Sequence, residues 1–342
     1  METSSPTSSP GTGNHDKLTR GIHIFSMIIY SIAFLLGVTG NGLVIWVTGF
    51  HMKRTVNTVW FLNLAIADFI FTFFLPLNIT SIAMNFHWPF GRALCKLNGG
   101  LASLNLYASV FFLTVISLDR CVCVVSPVWT QNHRQPRLAS LVALGIWILS
   151  LILCIPYWYF REIDHDDSKN VIYCYKEFGT TGEEATEEEW KWVSTSNSRA
   201  TVISRFIFSF IIPFYIIVIC YGVIVVKLLT SQLALSSKPF KIIAVVIVVF
   251  FLCWFPLHVF SFLEMDDLPK FRTAVHIGMP LVSSLAFVNS CLNPILYVFM
   301  AHDFKEKLRH SLFLAFVKAF TEDAPIVAVQ TQSTMKSDSQ AL

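Results

Sequence analysis

Apolar residues along this chain run in long blocks broken by short polar stretches, and the length of the blocks sets the first inference. A helix needs roughly 20 apolar residues to cross a bilayer core about 30 Å thick. Seven blocks reach that length: 21–49, 57–84, 95–124, 138–160, 201–229, 239–264 and 273–300. Lipid offers no hydrogen bonds, so each spanning segment must satisfy its own backbone, and a helix does this within one segment. The pattern predicts an all-α membrane protein, a seven-transmembrane helix bundle over 21–300. A disordered extracellular N-terminus over 1–20 precedes it; a short amphipathic helix over 301–316 and a disordered cytoplasmic tail over 317–342 follow.

Composition agrees. Of 342 residues, 54% are hydrophobic and only 14% charged, too little charge to coat a soluble fold. The net charge of +3 matters less than where the charges lie. Lys53 and Arg54, then His133, Arg134 and Arg137, then Lys238 and Lys241, then Lys305, Lys307 and Arg309 all fall on one side of the bundle. Basic residues in short connections mark the cytoplasmic side, so the N-terminus is expected outside the cell and the protein in the plasma membrane. The Ser/Pro/Thr-rich stretch 1–20 lacks an apolar core, so the first span, rather than a cleavable signal peptide, is expected to start translocation. In the amphipathic segment after the last span, Lys305, Lys307 and Arg309 suit the headgroups of membrane lipids.

The connection over 161–199 is long and acidic, with Glu183, Glu184, Glu187, Glu188 and Glu189 in one run. It reads either as a solvated loop or as a landing surface for a basic ligand. Of the eight cysteines, only Cys95 and Cys174 fall on the oxidising side, so they are expected to pair and to pin this loop over the bundle. Cys121, Cys123, Cys154, Cys220, Cys253 and Cys291 read as small packed hydrophobes.

Each span also carries polar residues or prolines that a purely structural anchor would avoid. They are Asn41 between Gly40 and Gly42, Asp68 after Ala67, and Asp119-Arg120-Cys121 at the end of the third span. Trp147 follows in the fourth, Pro213 and Tyr221 in the fifth, Trp254-Phe255-Pro256 in the sixth, and Asn289 with Asn293-Pro294-Ile295-Leu296-Tyr297 in the seventh. In this order they resemble the rhodopsin-like G-protein-coupled receptors, over about residues 25–312.

Asp68 is the residue least expected in a membrane, because an ionisable group there needs a polar cavity or a partner. Asn105 and Ser109 share one helical face by their spacing, as do Asn289 and Asn293. With Asp68 they can surround a small hard cation, which the resemblance implies to be an allosteric sodium ion, or they can form a water-filled polar network. No other metal or cofactor is expected. Pro256 and Pro294 each remove a backbone donor and predict kinks beside Trp254 and Tyr297. A kinked sixth span can swing one end, and Arg120 beside Asp119 can pair inward at rest and turn to a partner when that end leaves. Asp119, Arg120, Tyr221, Trp254, Pro256, Pro294 and Tyr297 are therefore the expected activation switch. The tail residues Thr331, Ser333, Thr334, Ser337 and Ser339 are candidate phosphorylation sites for recruiting an arrestin. The resemblance implies coupling to the inhibitory class of G protein.

Missing chemistry narrows the ligand. The third span reads Leu101-Ala102-Ser103 where an amine receptor needs an acid, and 273–300 holds no lysine for a retinal imine. The N-terminus is too short for a protein-hormone ectodomain. Closer resemblance is to the chemoattractant receptors, namely the formyl-peptide, chemerin and chemoattractant-type prostaglandin D receptors. It is carried by His87-Trp88-Pro89-Phe90-Gly91, Pro127-Val128-Trp129-Thr130-Gln131-Asn132-His133-Arg134, Lys238-Pro239-Phe240-Lys241 and Ser284-Leu285-Ala286-Phe287. Formyl-peptide receptors pair an acid in the third span with two arginines in the fifth; here Ser103, Thr201 and Arg205 stand at those positions.

Arg205 is the expected anchor for a ligand carboxylate, from a peptide C-terminus or an acidic lipid; its alternative is pairing with Glu264. Ser103, Glu264, Trp88 and Phe260 complete the candidate ligand site, the aromatics either walling the pocket or packing. The expected ligand is thus a peptide, a small protein such as chemerin, or an acidic lipid. A non-signalling scavenger receptor of the same fold is the nearer alternative and a transporter the remoter one. No catalytic triad, metal cluster or nucleotide-binding motif appears, and neither an enzyme nor a nucleic-acid partner is expected.

Overall fold

In the computed structural model of the chain, residues 12–179, 186–230, 238–265 and 269–300 are described. Among them are seven helices long and apolar enough to cross a membrane. The first span runs Thr12–Trp46 and ends in a widened π-helical turn, Val47–His51. The second begins at Val56, where the Thr55 hydroxyl accepts the Thr58 amide and the Thr58 hydroxyl returns the bond. This capping box satisfies two donors that a helix start leaves unpaired. The same span breaks at Phe74, between Val56–Phe73 and Leu75–Ala83. Pro76 causes the break, since its ring clashes with the carbonyl of Thr72 and it has no N–H to give.

The third span, Gly91–Val125, is the central post and is buried along most of its middle. A short helix, Pro127–His133, leads to the fourth span, Pro136–Tyr159. The fifth runs Glu187–Phe206, a π-turn Ile207–Ile211 and Ile212–Thr230; the sixth is Lys238–Met265 and the seventh Pro269–Met300. Leu64, Ala65, Ala108, Val110 and Phe112 pack the common core. Leu35, Leu141, Ile152, Val226 and Leu229 are exposed on the outer faces. Large exposed aliphatics in such number would aggregate a soluble domain; on helices of this length they form the surface that meets lipid.

The seven-span helical bundle is as expected, and the connection between the fourth and fifth spans adds an antiparallel hairpin, Arg161–Asp166 with Val171–Lys176. Alternating side chains in Ile172-Tyr173-Cys174-Tyr175 favour a strand over a helix. Two expected boundaries are corrected. The loop expected over 161–199 ends early, because the fifth helix starts at Glu187. There Thr186 caps the Glu189 amide and the Glu189 carboxylate accepts from the Thr186 amide at 2.9 Å, so part of the acidic run is a helix start. The N-terminal segment expected to be disordered over 1–20 is helical from Thr12. The amphipathic helix at 301–316, the tail at 317–342 and Glu183 and Glu184 lie outside the described residues.

Cys95 and Cys174 form the expected disulfide, with Cα atoms 5.7 Å apart. The hairpin is tied down at further points. Trp88 N–H donates to the Ile172 carbonyl at 2.8 Å, and Ile172 N–H donates to His87 Nδ1 at 3.0 Å. Glu162 takes two bonds from Arg92, at 2.5 and 2.7 Å, and lies 3.2 Å from Lys96 Nζ. The Arg92 guanidinium, helped by Lys96, holds the Glu162 carboxyl at about 2, below its ordinary 4.5.

Two expectations follow. Thiol alkylation and mass mapping of the non-reduced protein should find both Cys95 and Cys174 protected, and a free thiol at either would contradict the bridge. A depressed folded pKa stabilises above the unfolded value and loses that contribution as pH falls through the folded one. Glu162→Gln should therefore unfold at a lower temperature than wild type near neutral pH. The two should converge between about 4.5 and about 2; a gap independent of pH would exclude a charge effect.

Candidate functional site

Three polar clusters lie along the bundle. At mid-depth, Asp68 is fully buried. Asn105 Nδ2 donates to one carboxylate oxygen at 2.9 Å and Asn293 Nδ2 to the other at 2.6 Å. Ser290 Oγ donates to Asn105 Oδ1 at 3.4 Å. Ser109 lies beside the same carboxylate, and Ser109 Oγ and Asn289 Nδ2 are buried without a hydrogen-bond partner among the described residues. The carboxylate and the Ser109 hydroxyl are hard oxygen donors that fit a small hard cation, while the Asn105 and Asn293 amides turn their nitrogens to the carboxylate. Asn41, outside the expected set, donates to the Ser290 carbonyl at 3.0 Å. Pro294 has no N–H for that carbonyl four residues earlier, so the Asn41 side chain supplies the missing donor.

At the end away from the disulfide, Asp119 and Arg120 are adjacent but only loosely paired, at 3.8 Å. The better partner of Asp119 is Arg134, which follows the short helix. Its Nε and terminal nitrogen reach the two carboxylate oxygens at 2.8 and 2.9 Å. Arg120 and Arg134 both donate to Asn57 Oδ1. Sequence reading missed Arg134 and Asn57 as members of the switch. The available signal was an unassigned arginine close after the short helix, with no acid nearby in the sequence. Tyr221 Oη and Trp254 Nε1 are buried without partners among the described residues. Trp254 packs on Phe250 with ring centroids 6.0 Å apart, and Pro256 and Pro294 both lie inside helices. The Tyr297 side chain lies outside the described residues.

At the disulfide end, a cavity of about 770 Å³ is lined by Ser103, Tyr157, Arg161, Lys176, Arg205 and Glu264, among others. Arg205 donates to the Ser261 hydroxyl, and its guanidinium carbon stands 5.9 Å from the Tyr157 ring centroid. Arg205 Nε is buried without a partner among the described residues. The alternative pairing of Arg205 with Glu264 is not formed, because Glu264 bonds Lys176 Nζ at 2.6 Å. Lys176 and Arg161 were missed, yet the hairpin explains both. They sit opposite each other in register, and Lys176 is two residues from Cys174, so it shares the face that the disulfide turns toward the bundle.

The two aromatics divide between the alternatives of packing and lining a cavity. Phe260 packs on Gly278, where a Cβ would sit 2.2 Å from its ring, so it joins the sixth and seventh spans. Trp88 is buried and donates to the Gly91 carbonyl at 3.0 Å. It borders a second cavity of about 700 Å³, which shares Phe86, Arg161 and Glu264 with the first.

Comparison with known proteins follows this geometry. The family described as "7 transmembrane receptor (rhodopsin family)" matches residues 40–297. Chemerin-like receptor 1 of Rattus norvegicus is 46% identical over 304 residues, covering 88% of this chain and 81% of that protein. Formyl peptide receptor-related sequence 1 of Mus musculus is 44% identical over 313 residues, covering 90% and 88%. N-formyl peptide receptor 3 of Homo sapiens is 42% identical over 308 residues, covering 87% and 85%.

The Arg134 clamp carries its own test. In a double-mutant cycle on thermal unfolding, Asp119→Asn and Arg134→Ala should be non-additive, with a coupling of about 0.5–3 kcal/mol. Purely additive losses would show that the two side chains do not act as a pair.

Proposed function

This chain belongs to the rhodopsin family of seven-transmembrane receptors, a receptor class rather than an enzyme class, and from that footing we propose that it detects an acidic chemoattractant. It is a multi-pass membrane protein whose partners are an extracellular ligand and a G protein. The finer reading places the disulfide end outside the cell and the Asp119 end in the cytoplasm. The ligand is a peptide with a free C-terminal carboxylate, a small protein presenting one, or an acidic lipid. Signalling runs through the inhibitory class of G protein and through arrestin, toward chemotaxis.

The observation that supports this best is the charge balance of the outer cavity. Among the described residues that line it, Arg161, Lys176 and Arg205 stand against Glu264 as the one acid, a surplus of positive charge. Glu264 is already bound to Lys176, which leaves the Arg205 guanidinium with only neutral partners among the described residues, Ser261 and the Tyr157 ring. A cation held in a poorly hydrated pocket by neutral groups is a site prepared for an anion. The Asp68 cluster would hold a sodium ion through its carboxylate and the oxygens of Ser109, Asn105, Asn289 and Asn293. Bound there, the ion would supply a positive charge that offsets Asp68.

Arg205→Ala should lower agonist potency about ten- to a hundredfold, since hydrogen bonds to charged groups are worth roughly 1.5–3 kcal/mol. Arg205→Lys should recover part of this, keeping the charge but not the planar fork. Amidating a peptide agonist, or esterifying a lipid one, should weaken wild type and scarcely affect the alanine variant. Equal weakening of both would assign the carboxylate to another residue.

Arg120→Ala tests signalling separately. Surface expression and ligand binding should persist while agonist-driven nucleotide exchange on the G protein is reduced. Unchanged exchange would remove Arg120 from the switch, and no exchange even in wild type would favour a scavenger.

A further inference from the structure

The connection between the second and third spans, residues 84–90, runs along the edge of the hairpin and shares its hydrogen bonds. Both main-chain groups of Ile172 are taken there. Its carbonyl accepts from Trp88 N–H at 2.8 Å, and its N–H donates to His87 Nδ1 at 3.0 Å. The second bond fixes the chemistry of the ring. A backbone N–H can only donate, so Nδ1 must hold a lone pair and the ring's one proton must sit on Nε2. A doubly protonated imidazole has two donors and no acceptor, and would set N–H against N–H. The bond therefore exists only while His87 is neutral.

What it holds is a turn that backbone sterics oppose. Asn85 and Phe86 both lie in the left-handed region, at φ of 54° and 66°. Asparagine enters that region readily. Phenylalanine seldom does, and it stays there only where its surroundings hold it. Phe86 N–H bonds the Ser81 carbonyl at 2.7 Å and His87 N–H the Met84 carbonyl at 3.2 Å, but both bonds are local. Anchors from further off include the two on Ile172 and the edge of His23, whose ring centroid is 5.1 Å from that of Phe86. Phe86 lines both outer cavities, so the state of this turn sets part of each wall.

Charged groups on the neighbouring elements already have partners. Arg92 and Lys96 of the third span both meet Glu162, and Asp166 of the hairpin meets Lys169. His165 stands opposite Ile172 in the hairpin register, with Asp164 opposite Tyr173 beside it. His87 is half-buried in a connection rather than in a span, so protons can reach it from water.

We infer that His87 is a pH-sensitive latch. Neutral, it ties the connection to the hairpin; charged, it lets go and frees Phe86 to leave the walls of the two cavities. Histidine is the side chain whose ordinary charge change falls between about pH 5 and 8. The latched form needs the neutral ring and the open form accepts a proton, so the latch is present at the upper end of that range and lost as pH falls. The inference rests on this geometry, whatever the ligand is.

Amide exchange of the full chain in lipid nanodiscs tests it without a ligand, read by mass spectrometry at about pH 7.5 and about pH 5 and corrected for the intrinsic pH dependence of exchange. In wild type, protection of Ile172 and of residues 84–88 should fall together in acid, by about two- to tenfold, the effect of losing one hydrogen bond. His87→Asn keeps an acceptor near the Nδ1 position and cannot charge, so it should stay protected at both pH values. His87→Leu should be poorly protected at both. His165→Asn and His23→Asn should keep the wild-type fall. No fall in wild type, a fall that survives in His87→Asn, or one abolished by His165→Asn or His23→Asn would overturn the latch. So would a fall at Ile172 alone, with residues 84–88 unchanged.

Discussion

A proline inside a membrane helix leaves one carbonyl that lipid cannot satisfy, and much of this bundle is arranged around that debt at Pro294. The carbonyl left over belongs to Ser290, and it is met from the first span by Asn41 Nδ2 at 3.0 Å. Gly40 permits the contact, since a Cβ there would lie 3.1 Å from the proline ring. One residue before the proline, Asn293 turns the other way and gives its amide to Asp68 at 2.6 Å. Asp68 in turn takes Asn105 from the third span. The seventh span is thereby fastened at one level to the first, second and third, by polar groups bonded to one another in a dry interior.

The clusters at the two ends answer the same constraint differently, and the difference marks their roles. Asp119 is satisfied, but from outside the core, by Arg134. That leaves Arg120 held by Asn57 and by an acid 3.8 Å away. A guanidinium with a shared acceptor and a distant acid is easier to redirect than one in a bidentate pair, since less has to be broken. At the other end the constraint is left open. Lys176 takes the cavity's acid, and Arg205 keeps a buried Nε with no acceptor among the described residues. An unfilled donor of this kind costs stability unless something occupies it. In the proposed reading a ligand anion would be that group.

How much of this the sequence could yield depended on whether the information was local. Span lengths and their number were legible because hydrophobic thickness is a one-dimensional quantity. The approach of Asn105 and Asn293 to Asp68 was open to reading because both lie on helix faces marked by a second polar residue four positions away. The Cys95–Cys174 bridge was legible from compartment alone. Arg134, Lys176 and Arg161 were not, because each reaches its place through a connection. The short helix Pro127–His133 returns Arg134 to Asp119, and the hairpin register sets Lys176 opposite Arg161. From sequence, Phe260 is open between wall and packing for a related reason. Its aromatic character suits a pocket wall as well as a helix seam, and only the bare face of Gly278 decides for the seam. The early start of the fifth helix was hidden in the acidic run, where Thr186 with Glu189 is a capping box that composition disguises as a loop.

The position of Ser261 connects the open cavity to the kinked span. Its hydroxyl accepts from Arg205 and donates to the Leu257 carbonyl at 2.7 Å. Leu257 follows Pro256 directly, and Ser261 is the next turn. Leu257 and Ser261 therefore lie just beyond the point where the sixth span lacks a backbone hydrogen bond and bends most easily. In the proposed reading, a carboxylate drawing on the Arg205 donors would compete with Ser261 for them, and what would change is the tether between the fifth span and the part of the sixth beyond Pro256. Only an interaction that differs between two arrangements can shift their balance. The Arg205–Ser261 bond meets that requirement, because a neutral hydroxyl is a weaker acceptor than the anion that would replace it. The paired Lys176 and Glu264 meet it less well, since an incoming anion must first break an existing ion pair before it gains anything there.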